Sequence, residues 1–148
     1  MTKNIRSMTE EDVLDVLLLA KEFSKEAPAS HKWDKNKTLS FLQTALSMPN
    51  MEVFIYEKDG EVLGGLVGCL TEMYVSYKKM ATEFAFFVTK EARGSSVAVR
   101  LVRHFEDWAK QNGADYIILA DIQEINNLSK LYGKLGYKSL ECTYIKEA

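Results

Sequence analysis

Residues 86–101 (Phe-Phe-Val-Thr-Lys-Glu-Ala-Arg-Gly-Ser-Ser-Val-Ala-Val-Arg-Leu) hold the clearest chemical signal in the chain. An apolar, β-like run stops, a short polar turn follows, and Arg93-Gly94-Ser95-Ser96 opens an amphipathic helix. A small-residue turn between a strand and a helix leaves several backbone N–H groups unpaired and pointing one way. The helix dipole adds partial positive charge at the same place. Such a turn suits a phosphate or diphosphate, so an anionic ligand is expected at Arg93, Gly94, Ser95, Ser96, Val97, Ala98 and Val99.

The bulk properties narrow the partners. A chain of 148 residues fits one domain, residues 1–148, and 47% apolar residues can fill one sizeable core. The net charge of −2 lacks the basic footprint of a nucleic-acid or anionic-membrane binder. Lys32, Lys35 and Lys37 form the one local basic cluster, diluted by Asp34, and read as a solvated loop. Two isolated cysteines, Cys69 and Cys142, make neither a metal site nor a disulfide framework. The first residues lack a signal-peptide core, and no run approaches membrane-spanning length, so a cytoplasmic setting is expected.

The elements that must position the turn follow from periodicity. Lys3 to Ser7 reads as a short edge strand, and Thr9 with Asp12 as a capping box before Val13, Val16, Leu17, Ala20 and Phe23 at helical spacing. Glu26 to Trp33 reads as a loop. A second helix starts at Asp34 or Asn36 and ends at Met48-Pro49-Asn50. Met51 to Glu57 and Val62 to Thr71 form a hairpin around Asp59-Gly60, a pair that tolerates positive φ. Gly64, Gly65 and Gly68 point to a bulge or a close approach in the second of these strands. Met80 to Val88 is a third long strand, and Ser96 to Asn112 a helix capped by Gly113. The nearly all-apolar run Asp115 to Ala120 reads as a strand buried on both faces. A last helix begins at Asn126 or Asn127 and ends at Gly136, and Tyr137 to Ile145 is expected as a final strand. The result is one α+β domain with a mixed central sheet flanked by helices, in the order β-α-α-β-β-β-α-β-α-β.

That order resembles the GNAT family of N-acetyltransferases over nearly the whole chain. Val88 to Ala98 resembles the family's acyl-CoA signature, V-x-P-x-x-R-G-x-G-x-G/A. Trp108 to Asp115 is similar to the usual end of the following helix, and Leu131-Tyr132-Gly133-Lys134-Leu135-Gly136-Tyr137 to the L-Y-x-K-x-G-F motif. Two departures stand inside the signature. Lys90 replaces the proline, and Ser96 replaces the central glycine, where a serine can cap the helix but its Cβ crowds a diphosphate. The chain also ends soon after Ile145, where family members usually carry one more strand, and a homodimer partner could cover the edge so left.

The resemblance implies transfer of an acyl group, most simply acetyl from acetyl-CoA, to the amine of a small molecule, peptide or protein, with no metal. It implies that main-chain groups of Phe86, Phe87 and Val88 hold the pantetheine arm, with an N–H near Phe86 facing the developing oxyanion. It places Tyr132 as the acid for the departing thiolate, with Asn127 (or Asn126) and Lys134 as further coenzyme contacts. An amine with a pKa of about 10.4 is only about one part in 2,500 neutral at pH 7, so a base is needed. Glu83 is the candidate, one residue out of the family's register, which on a regular strand changes the face unless a bulge restores it. Glu72 and Asp121 are weaker candidates. His31 and Trp33, in the first interhelical loop, are expected to shape the acceptor pocket. The alternative is a GNAT-fold module that binds CoA or a protein partner with weakened catalysis.

Overall fold

The computed structural model describes residues 4–122 and 128–148. A capping interaction opens the chain's first helix: the Thr9 amide donates to the Asp12 carboxylate at 2.8 Å, and Arg6 pairs with the same carboxylate at 2.7 Å. Helix α1 spans Val13–Glu26 and α2 spans Lys35–Ser47, the latter capped by Asp34, whose carboxylate accepts the Lys37 amide at 2.9 Å. Strands β1 (Ile5–Ser7), β2 (Met51–Lys58), β3 (Glu61–Glu72), β4 (Lys79–Val88) and β5 (Tyr116–Ile118) form one sheet in chain order. Every pairing is antiparallel except β4 with β5, which the crossover helix α3 (Val97–Gln111) makes parallel. The short α4 is Ser129–Lys134.

The hairpin at Asp59-Gly60 forms as expected, with φ of 52° and 81° at the two residues. Helices cover both sheet faces. Met8, Val16, Leu17, Leu42, Ile55 and Val67 make the core beneath α1 and α2. Phe54, Leu66, Ala81, Leu101 and Phe105 make the core beneath α3, where Phe105 and Trp108 lie with centroids 5.9 Å apart. The glycines of β3 mark where helices press on the sheet: a Cβ at Gly68 would sit 2.5 Å from Cε1 of Phe105.

Opposite Gly68 the ladder slips. Val67 pairs with Ala85 but Gly68 pairs with Glu83, so Phe84 is the extra residue of a β-bulge. The slip turns the strand over. Ala81 and Glu83 share the α3 face with Phe86 and Val88, whereas Phe87 faces α1 and meets Phe23 edge-on at 5.5 Å.

Two expectations need correction. No strand forms over Tyr137 to Ile145: residues 138–148 are exposed and join no ladder, and a strand exists only through a partner. Consequently β5 is short and half-exposed rather than buried on both faces, with Tyr116 56% accessible. Tyr137 instead anchors the end of α4, its hydroxyl donating to the buried Glu106 carboxylate at 3.0 Å. The packing at Gly68 yields one prediction. Gly68→Ala should cost about 1–3 kcal/mol, the usual range for overpacking, read as a lower denaturant midpoint with an unchanged slope.

Candidate active site

The site opens where two strands part. β5 pairs with β4 only at Met80, Ala81 and Thr82, so from Glu83 onward the edge of β4 that faces away from β3 has no strand beside it among the described residues. The gap becomes a cleft of about 200 Å³. Its walls are Phe86, Phe87 and Val88 of β4, then Ala92, Arg93, Gly94 and Ser95 of the turn, Ala98 of α3, and Leu128.

The turn is built to expose main-chain donors. Residues Lys90–Ala92 wind one 3₁₀ turn, and Gly94 then takes φ 79°, a left-handed angle that glycine reaches without a Cβ penalty. A Cβ at Gly94 would meet nothing within 4 Å, so the angle and not space calls for glycine. The N–H groups of Gly94, Ser96, Ala98 and Val99 have no acceptor among the described residues. Ser96 takes the N-cap position but makes no capping bond with its side chain. Ser95 does that work, its hydroxyl donating to the Ala92 carbonyl at 2.6 Å and accepting the Val97 amide at 3.4 Å. Val97 itself points into the core, 3% accessible. Unpaired amides at the start of a 15-residue helix, beside an open strand edge, fit a diphosphate continued by an extended thioester arm.

Arg93 is committed elsewhere. Its amide donates to the Lys90 carbonyl, its Nε to the Val88 carbonyl at 2.9 Å, and its two terminal nitrogens to the two oxygens of Glu26, each at 2.9 Å. The guanidinium also lies 5.3 Å from the Phe87 ring centroid.

Glu83 and Tyr132 meet through one residue. The Ala120 amide donates to Glu83 Oε1 at 3.4 Å, and the Tyr132 hydroxyl donates to the Ala120 carbonyl at 2.9 Å. Burial pushes the Glu83 carboxyl up to about 7, the Ala120 amide opposing the shift. Burial also pushes the Tyr132 hydroxyl well above its ordinary range, with the carboxylates of Glu83 and Asp121 adding to it. Tyr132 is therefore a neutral donor at any working pH, and Glu83 changes charge near neutrality. Asp121 accepts the Leu128 amide at 3.1 Å, which ties the start of α4 to the segment that follows β5.

The other expected residues lie apart from the cleft wall. His31 is exposed, its Nδ1 2.7 Å from the Ser30 hydroxyl. Trp33 is half-buried against the α1–α2 core, its amide donating to the Ser24 hydroxyl at 3.0 Å. Lys134 is exposed in the last turn of α4, and Asn126 and Asn127 lie outside the described residues. Among the described residues no three His, Cys, Asp or Glu side chains converge to hold a metal ion, and no helix is long and apolar enough to cross a membrane. Glu26 and Ala120 are the residues the sequence reading does not single out. Glu26 had one signal: an acid in a helix's last turn opposes the dipole, and so asks for a partner from elsewhere.

Comparison with known proteins names the class that this fold and cleft define. The model of the acetyltransferase (GNAT) family matches residues 15–137, and the chain belongs to that family of acyl-CoA-dependent N-acetyltransferases. A protein from Pyrococcus furiosus described as an acetyl transferase is 29% identical, with a TM-score of 0.76 over 97% of this chain and 98% of that one. The aminoglycoside N-acetyltransferase AAC(6')-Iy, solved with CoA and with a bisubstrate analogue, superposes with a TM-score of 0.81 at 19% identity, covering 97% of this chain and 96% of its own. The N-acetyltransferase YobR of Bacillus subtilis (strain 168), itself uncharacterized, is 34% identical over 53 residues, which span 36% of this chain but only 22% of YobR. The expected GNAT fold is thus confirmed, less its final strand.

The raised Glu83 carboxyl has a consequence for stability. Folding favours its neutral form, so the folded state holds a proton that the unfolded state has released between pH 4.5 and about 7, and stability falls as pH rises through that window. The cost above pH 7 is on the order of 3 kcal/mol for a shift from 4.5 to about 7. Glu83→Gln should raise Tm at pH 8 and leave it nearly unchanged at pH 4, measured by thermal melts at both pH values.

Proposed function

We propose that this chain moves an acetyl group from acetyl-CoA to a primary amine by direct attack in a ternary complex. The observation that carries the reading is that the Glu83 carboxylate and the Tyr132 hydroxyl both bond to the main chain of one residue, Ala120, two positions beyond β5. Acetyl-CoA supplies an activated thioester. The amides at Gly94, Ser96, Ala98 and Val99 bind its diphosphate, and the free edge of β4 at Phe86, Phe87 and Val88 aligns the arm. An N–H near Phe86 faces the oxyanion, a contribution worth roughly 3 kcal/mol when one such donor is lost. Glu83, poised near neutrality, takes the proton of the attacking amine, and Tyr132 gives its proton to the departing thiolate. Lys134 and Asn127 are secondary coenzyme contacts in this reading. His31 and Trp33, the latter joined to the last turns of α1 through Ser24, border the acceptor in this reading.

The acceptor class is a small-molecule, peptide or protein amine. AAC(6')-Iy, the neighbour in fold, is solved with the analogue CoA-S-monomethyl-acetylneamine. Two unpaired cysteines suit a reducing compartment such as the cytoplasm. A homodimer across the outer edge of β5 would cover the exposed Tyr116. One observation favours a second reading, coenzyme binding without turnover: Tyr132 donates to Ala120 rather than into the cleft.

A thiol-release assay over an amine panel with acetyl-CoA decides between them, since turnover with any amine supports the first. With the best amine, Tyr132→Phe should lower kcat by roughly 10²-fold or more with CoA affinity retained, and unchanged turnover removes Tyr132 from the mechanism. The pH profile of kcat/KM should rise through about pH 7 as Glu83 ionises, and Glu83→Gln should abolish that rise.

A further inference from the structure

We infer that Glu26 is a positioning residue for the coenzyme: it holds the Arg93 guanidinium against α1 so that the turn after β4 presents its amides, not its arginine, to the diphosphate. The inference rests on the proposed coenzyme site and adds to it a residue 67 positions away in sequence.

The geometry is that of a clamp. A guanidinium offers five donors in a fixed fork. Here Nε is spent on the Val88 carbonyl, where the turn begins, and both terminal nitrogens on the Glu26 carboxylate, each bond 2.9 Å long. The plane is further held against Phe87, and Phe87 against Phe23 of α1. The side chain of Arg93 therefore closes the turn on its own first residue and staples it to the last turn of α1. Both partners are mostly shielded from water, with side-chain accessibilities of 26% and 19%, so the bonds hold a fixed orientation better than an exposed pair would.

The position of Glu26 has no local explanation. It is the last residue of α1, where its charge faces the negative end of the helix dipole. Arg93 makes good that cost. Gly94, the next residue, turns through φ 79° and begins the run of free amides. A turn tied at Val88 and Arg93 has little freedom upstream of Gly94, so its amides are ordered before a ligand arrives, which lowers the ordering cost of binding. An arginine so held also keeps its charge at the cleft wall neutralised. Affinity for the diphosphate then comes from oriented amides rather than from a mobile cation.

The test compares two ligands on intact protein: CoA, titrated calorimetrically, and pantetheine, which is the same arm without diphosphate or nucleotide, measured by competition. Glu26→Gln should weaken CoA about tenfold, equivalent to roughly 1.4 kcal/mol, and leave pantetheine unchanged. Glu26→Asp, which keeps the charge but is one methylene too short for the paired bonds, should show a smaller loss of the same selectivity and carries the test where Glu26→Gln folds poorly. Equal weakening of both ligands would reduce Glu26 to a structural residue and overturn the inference. Unchanged or tighter CoA binding would also overturn it, by showing that a released Arg93 grips the phosphate. Absence of CoA binding by the unaltered protein is a separate result: it removes the coenzyme site itself, and the inference with it.

Discussion

The one-residue slip between β3 and β4 is the constraint from which the site follows. Phe84 has no partner across the ladder, so the strand turns over at that point. Without the slip, Glu83 would share a face with Phe87 and look toward α1. With it, Glu83 shares the α3 face with Phe86 and Val88 and reaches the amide of Ala120. A bulge also bends its strand, and β4 leaves β5 immediately beyond Thr82. One extra residue therefore accounts both for the opening of the cleft and for the burial of a carboxyl beside it.

The slip is paid for by packing around Gly68. The absence of a side chain there lets Phe105 approach the sheet directly, which fixes α3 close to β3. The N-terminus of α3 carries the turn that follows β4, so the depth at which Phe105 seats and the place where the amides emerge are linked through one rigid helix. Stability and ligand geometry meet in the same residues: Leu101 and Phe105 are fully buried one and two turns below the site.

Much of this was legible in the chain. The hairpin at Asp59-Gly60, the cap at Asp34 and the strand–turn–helix at Val88 to Val97 each depend on neighbours in sequence, and each formed where its local chemistry required. The rest depends on partners far apart. Adjacent serines at 95 and 96 carry the same capping potential, and only the fold of the preceding 3₁₀ turn selects Ser95. The glycines of β3 announced an irregularity without saying which residue of β4 would be the extra one. Tyr137 to Ile145 alternates like a strand, yet alternation describes a side-chain pattern and supplies no hydrogen-bonding neighbour. The pair Glu26–Arg93 joins two helices' ends with no periodicity to reveal it.

Ala120 contributes through its main chain alone, one edge to the carboxyl of Glu83 and the other to the phenol of Tyr132. The span from an amide nitrogen to the carbonyl oxygen of the same residue is set by covalent bonds and one dihedral angle. The Glu83 carboxyl and the Tyr132 hydroxyl are thus gauged against each other by a single unit of backbone. Any residue but proline, which has no N–H to offer Glu83, keeps that spacing at position 120.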